Sequence, residues 1–103
     1  ADPQVPDFTA ALHARLLGVP LLDPAPRPVW GLETTSSPAP ASAYTLFDFD
    51  VDAAFRAIAK PTDVSNRVHE GIRRLQPTLE QLDLFLRPGG VVEHRCDGPC
   101  DPD

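Results

Sequence analysis

The sequence predicts a small, mainly α-helical domain, and three observations lead to this prediction. The chain has 103 residues, a length that accommodates one domain. Its strongest periodic signal is an apolar stripe with helical spacing within residues 62–87. Most of its 13 prolines precede residue 41, which predicts an extended proline-rich arm beside the helical part.

Residues 7–17 are expected to form the first helix. Asp7 is a suitable N-cap residue, and Gly18 with Pro20 supplies a stop signal. The apolar residues of this segment recur with helical spacing and define one face: Phe8, Ala11, Leu12 and Leu16.

The proline-rich arm is predicted over residues 20–43, where closely spaced prolines favour an extended backbone. Within it, the apolar island 29–32 contains Trp30 and is expected to dock on the core, because a lone tryptophan rarely stays fully exposed. Residues 44–50 follow with alternating apolar and acidic side chains, which indicates a short strand.

A second helix is predicted over residues 52–60 and a long third helix over residues 62–87. The apolar positions of the third helix are spaced by three or four residues: Val64, Val68, Ile72, Leu75, Leu79, Leu82 and Leu86. Their average spacing of about 3.7 residues is typical of a straight helix. Pro77 leaves this phase unchanged, so one helix kinked at Pro77 and two nearly collinear helices with Thr78 as a cap both remain open.

Charged pairs support the helical register of this segment. Glu70 precedes Arg74 and Asp83 precedes Arg87 by four residues, the order in which acidic and basic side chains stabilise a helix. Each pair contributes only a few tenths of a kcal/mol, so their value lies in corroborating the helix.

Cys96 and Cys100 form an even pair in a short chain, which predicts a disulfide and an oxidising compartment. Ala1 is a small residue of the kind left by signal peptidase, and the chain is therefore expected to be secreted.

We divide the single structural domain into four segments: the N-terminal helix 1–19, the proline-rich arm or linker 20–43, the helical core 44–95 and the acidic, cysteine-containing tail 96–103.

Charge and hydropathy exclude several classes of protein. A formal net charge of −6 repels nucleic-acid phosphates, so no nucleic-acid partner is predicted. No apolar stretch approaches the roughly 20 residues of a membrane span.

His69 and Glu70 begin a zinc-protease-like pattern, but Arg73 occupies the second histidine position. The prediction is therefore no enzyme: no catalytic residue, no metal site and no cofactor.

One acidic cluster supports an alternative function. Asp48, Asp50 and Asp52 alternate in sequence, so on a strand their carboxylates would point to one side and could hold a divalent cation. Residues 45–52 also resemble the first motif of the haloacid dehalogenase-type phosphatases. That resemblance implies a metal-dependent phosphatase or hydrolase in which Asp48 is the nucleophile and Asp50 the acid.

The function we predict is that of a secreted, non-enzymatic binding or accessory subunit. With a marginal core, the chain is expected to bury its apolar helix stripe and its proline-rich arm against a protein partner, in a hetero- or homo-oligomer. A processed pro-region or structural fragment is a second alternative. The predicted partner-binding residues are Trp30, Leu75, Leu79, Leu82, Phe85 and Leu86.

Overall fold

A computed structural model gives the structure of residue 2 and of residues 5–39, 41–50 and 67–102. Within these residues, three short helices and a two-stranded parallel sheet are joined by irregular segments. The prediction of a mainly α-helical domain with an extended arm is therefore wrong. The predicted helix 52–60 lies outside the described residues. No described helix is long and apolar enough to cross a membrane.

Helix α1 spans Asp7–Leu17, which confirms the predicted first helix. Its N-cap is Pro6 rather than Asp7, and Asp7 is the first helical residue, where a carboxylate interacts favourably with the helix dipole. Gly18 ends the helix with a φ of 66°, a left-handed conformation that glycine adopts without the steric cost of a Cβ atom.

The sheet lies in the segment that was predicted to be an arm. Strand β1 (Leu21–Leu22) pairs in parallel with strand β2 (Thr34–Thr35). On its other side, β1 forms a single parallel bridge with Tyr44, closed by hydrogen bonds of 2.7 and 2.9 Å. Pro20 and Pro24 flank β1 and have no N–H group to donate, which keeps this ladder short.

The predicted strand at 44–50 is reduced to the Tyr44 bridge, because residues 45–50 form no strand. A second isolated bridge joins Ala39 and Val92 in antiparallel orientation, with hydrogen bonds of 2.8 and 2.9 Å. This bridge ties the end of the proline-rich segment to the chain that follows the last helix.

Within the described residues, the buried apolar cluster is centred on the proline-rich segment and not on the apolar helix stripe. Leu22, Ala39 and Val92 form the central cluster, and Ala43 packs against it. Leu22 is only 1% exposed because β1 has neighbours on both sides. The buried apolar side chains of the described residues are Ala11, Ala14, Leu21, Leu22, Ala39, Leu46, Phe49, Val68, Val92 and Cys100.

The described part of the predicted 62–87 helix is broken. Helix α2 spans Arg67–Gly71 and continues into a 3₁₀ turn, Ile72–Arg74, and helix α3 spans Gln76–Phe85. The break lies at Leu75, whose ψ of 131° is extended, so it precedes Pro77. Pro77 occupies the first turn of α3, where a missing N–H costs nothing. Thr78 does not cap the helix, since Leu75 is the N-cap and has no side-chain capping bond.

The 3₁₀ turn also changes the charge pairing. Glu70 pairs with Arg73 at 3.4 Å instead of with the predicted Arg74, because side chains three apart are eclipsed in a 3₁₀ helix. The predicted pair of Asp83 and Arg87 is present on α3.

The turn that follows helix α3 contains a glycine, Gly90, that cannot be replaced without a clash. A Cβ atom on Gly90 would lie 2.3 Å from the carbonyl oxygen of Phe85 and 2.5 Å from that of Leu84. Within the described residues, α1 makes no close backbone contact with α2 or α3. The first helix therefore does not pack along the described part of the apolar stripe.

Candidate partner-binding surface

The orientation of α3 is set by a polar residue. Gln81 donates a hydrogen bond of 2.8 Å from Nε2 to the backbone oxygen of Glu93, in the segment that returns along the helix. Glu93 follows Val92, which is bridged to Ala39 in the core. The side of α3 that carries Gln81 therefore faces the protein.

The opposite side of α3 is apolar and exposed to solvent. At about 100° per residue, the midpoint of Leu79, Leu82 and Leu86 lies roughly 130–140° from Gln81. All three side chains are exposed, and Leu86 is 76% exposed. We call these three leucines the α3 face. Phe85 is exposed beside them and Leu75 is half-buried before the helix, so five of the six predicted partner-binding residues lie on or next to α3.

Charged side chains border the α3 face along one edge. Asp83 and Arg87 form an ion pair one turn apart, and Glu80 accepts a hydrogen bond of 2.8 Å from Nε2 of Gln76. An apolar patch with a hydrated polar border has the composition of a protein–protein interface.

The sixth predicted residue, Trp30, lies on a different part of the molecule. It is 85% exposed, so the prediction that the 29–32 island docks it on the core is wrong. Arg15 of α1 holds it instead: the guanidinium carbon lies 5.1 Å from the ring centroid, and Nη1 donates a hydrogen bond of 2.6 Å to the Trp30 oxygen. A cation–π contact thus fixes the ring against α1 rather than burying it.

A second apolar stripe is exposed on α1. Phe8, Leu12 and Leu16 are four residues apart and all exposed, whereas the small residues Ala11 and Ala14 are buried. Large apolar side chains are usually buried, whereas on α1 they are exposed and two alanines are buried instead. The signal was the placement of two alanines on one side of the helix, which is typical of close backbone approach.

Between α1 and residues 27–30 lies a cavity of about 210 Å³ that is lined by an ion pair and a tyrosine. Arg27 Nη2 lies 2.9 Å from Asp7 Oδ2, and Tyr44 lines the same cavity. Burial raises the pKa of the Tyr44 hydroxyl, and the Asp7 carboxylate raises it further, while the Arg27 guanidinium acts in the opposite direction. Tyr44 therefore stays neutral to a higher pH than a free tyrosine.

The predicted disulfide between Cys96 and Cys100 is confirmed, with an S–S distance of 2.08 Å. Cys100 is buried, and its carbonyl oxygen accepts a hydrogen bond of 2.9 Å from the Asp48 N–H. His94 Nε2 lies 3.4 Å from the Cys100 sulfur. The start of the acidic tail is thus anchored to the domain.

Asp48 and Asp50, two of the three carboxylates on which the alternative function depends, lie in different surroundings. Asp48 is half-buried and lines a cavity of about 220 Å³, whereas Asp50 is exposed and is not part of its lining. Asp52 lies outside the described residues. Two other carboxylates at this cavity already have side-chain partners: Asp7 lies 2.9 Å from Arg27, and Asp2 lies 2.7 Å from His69.

The strand that would align Asp48 and Asp50 is absent from the described residues 45–50. The described residues thus present two exposed apolar surfaces, and the disulfide closes a short local loop near the C-terminal end. The chain has no match among family models, curated proteins or solved structures.

Proposed function

We propose that this chain is a secreted, non-enzymatic binding or accessory subunit that docks a partner protein on the α3 face. The observation that carries the proposal is the orientation of α3, with Gln81 bonded inward and Leu79, Leu82 and Leu86 turned to solvent. Exposed leucines in one stripe cost solubility, and contiguous apolar patches of this kind mark interaction sites.

The spacing of the α3 face suits a helix-in-groove contact. Leucines at positions i, i+3 and i+7 of one helix are the usual anchors when an amphipathic helix enters an apolar groove. The partner is then a protein with an apolar groove, either a different chain or a second copy of this one. Leu75 and Phe85 extend the contact at the two ends of the helix.

Trp30 and the α1 stripe of Phe8, Leu12 and Leu16 form a second surface. Tryptophan is enriched among the residues that dominate binding energy. Its Arg15 contact restrains the ring before binding, which lowers the conformational entropy lost when a partner covers it.

The proposed secretion is supported by the bond between Cys96 and Cys100, since disulfides persist mainly outside the cytosol. The net charge of −6 favours a protein partner over a nucleic acid. Neither observation depends on the α3 face.

The test uses two leucines of equal exposure on different surfaces. Leu86 on the α3 face is 76% exposed and Leu17 at the end of α1 is 77% exposed. Wild-type protein, Leu86→Ser and Leu17→Ser are each immobilised and incubated with the secreted fraction of the source cells, and self-association is measured by light scattering. We expect a defined partner or a dimer with wild-type protein and Leu17→Ser, and at least a tenfold weaker complex with Leu86→Ser.

Two results would contradict the proposal. One is a wild-type chain that stays monomeric at all concentrations and retains no protein. The other is a complex that Leu86→Ser leaves unchanged.

A separate titration addresses the metal-dependent alternative. Calorimetry with Mg²⁺ and Ca²⁺ compares wild-type protein with Asp48→Asn. We expect no cation binding that depends on Asp48. Binding that the variant abolishes would favour the hydrolase over the accessory subunit.

A further inference from the structure

Three side chains capable of binding a soft metal converge at the start of the tail. The nitrogen or sulfur donor atoms of His94, Cys96 and Cys100 all lie within 4.8 Å of one another. His94 and Cys96 are half-buried and Cys100 is buried, so the group is shielded from bulk water on one side.

The distance between imidazole and sulfur already suits a shared metal ion. His94 Nε2 lies 3.4 Å from Cys100 Sγ. In a tetrahedral zinc site, with a nitrogen about 2.0 Å and a sulfur about 2.3 Å from the metal, two such ligands lie roughly 3.6 Å apart. A zinc ion would therefore require little movement of these two side chains.

Hydrogen bonds hold His94 and Cys100 independently of the disulfide. The His94 N–H donates a hydrogen bond of 2.8 Å to Ser37 Oγ, and the Asp48 N–H donates one of 2.9 Å to the Cys100 oxygen. Both anchors lie outside the loop that the disulfide closes. The two cysteines lie only four positions apart in sequence, so closing this loop contributes little to holding the rest of the fold together.

We propose that, once the Cys96–Cys100 disulfide is reduced, His94, Cys96 and Cys100 bind a zinc ion. Two thiolates and one imidazole are three ligands of the type that zinc prefers, and they leave the fourth tetrahedral position to water. The site is thus alternately a disulfide in oxidising surroundings and a metal centre in reducing ones. The inference is independent of the proposed docking function.

Reduction of the disulfide precedes the binding of zinc. A phosphine reductant donates two electrons to the disulfide and is oxidised to the phosphine oxide with oxygen from water, whose two protons go to the sulfurs. The two thiols then lose these protons as zinc binds, because the thiolate is the ligand. His94 binds through a neutral nitrogen.

The experiment measures zinc affinity by competition with a chromophoric chelator, on the full chain after reduction by a phosphine and after re-oxidation. We expect one zinc ion per reduced chain and no comparable binding to the oxidised chain, which has the same sequence. Cobalt(II) in place of zinc is expected to give the thiolate-to-metal absorption band that signals sulfur ligation.

Substitutions identify the ligands. We expect His94→Ala to weaken zinc binding to the reduced chain at least about 100-fold, because loss of even outer partners of a zinc ligand weakens it 10–100-fold. His13→Ala, which removes an exposed histidine on α1, is the matched control and should leave the affinity unchanged.

The proposal is overturned if the reduced chain binds zinc no more tightly than the oxidised chain, since both have the same composition. It is also overturned if His94→Ala retains wild-type affinity while circular dichroism shows that it is folded. A cobalt complex without the thiolate band would have the same consequence.

Discussion

Nε2 of Gln81 donates a 2.8 Å hydrogen bond to the backbone oxygen of Glu93, so this side of α3 faces the protein. A helix usually turns its leucines inward and its glutamines outward. Here the return segment offers a carbonyl group that needs a donor, and Gln81 supplies one. The leucines Leu79, Leu82 and Leu86 lie on the other side of the helix and are exposed.

Replacing Gln81 is expected to loosen α3. Gln81→Ala leaves the half-buried carbonyl of Glu93 without its donor, so we expect a loss of about 1–2 kcal/mol in the free energy of unfolding. Urea denaturation followed by circular dichroism measures the change. Gln76→Ala is the control, because it removes an exposed hydrogen bond of the same 2.8 Å length on the same helix. Equal losses for both variants would show that Gln81 does not anchor α3.

Truncation of the central leucine should be far more destabilising than truncation of an exposed one. Leu22→Ala creates a cavity in the cluster with Ala39 and Val92, and we expect a loss of about 2–5 kcal/mol. Leu16→Ala removes the same atoms from an exposed site on α1, where the effect should stay within about 0.5 kcal/mol. Thermal denaturation of both variants checks the prediction. Similar effects would place the core elsewhere.

The first helix could be predicted because its signals are local. The apolar spacing of residues 7–17 and the stop at Gly18 depend only on neighbouring residues, and the structure confirms both. The disulfide of Cys96 and Cys100 was likewise predictable, since two cysteines in a short chain allow one internal pairing.

The location of the core could not be predicted, because it depends on contacts between distant segments. β1 is buried by partners from β2 and Tyr44, and Ala39 is buried by Val92, more than 50 residues later. The proline content of residues 20–43 predicted an extended arm, whereas this segment forms the sheet and part of the buried cluster. The spacing of Leu79, Leu82 and Leu86 indicated a helix, but their exposure depends on tertiary contacts that the sequence does not show.

The buried alanines of α1 should not tolerate larger side chains. Ala14 is buried, so the larger side chain of Ala14→Leu overpacks its surroundings. We expect a loss of about 1–3 kcal/mol in the free energy of unfolding. His13→Leu introduces the same side chain at the neighbouring exposed position and should be nearly neutral. Chemical denaturation of the two variants distinguishes them. A stable Ala14→Leu protein would mean that α1 is loosely attached.

The contact between Arg15 and Trp30 can be followed by fluorescence, because Trp30 is the only tryptophan. Arg15→Ala removes the cation–π contact and the bond to the Trp30 oxygen, so we expect greater acrylamide quenching and a loss of about 1 kcal/mol. Arg27→Ala is the control, since Arg27 pairs with Asp7 instead. Unchanged quenching in Arg15→Ala would show that the ring is not held.

Alkaline pH should destabilise the fold through Tyr44. Burial and the Asp7 carboxylate raise the pKa of its hydroxyl above the ordinary value of 10.0. Between these two pKa values the unfolded chain releases the Tyr44 proton while the folded chain retains it. The contribution of Tyr44 to stability is therefore constant below about pH 10 and falls as the pH rises further. Denaturation between pH 8 and about pH 11 is expected to show this fall in wild-type protein and a smaller fall in Tyr44→Phe. A fall of the same size in both proteins would assign the alkaline loss to other groups.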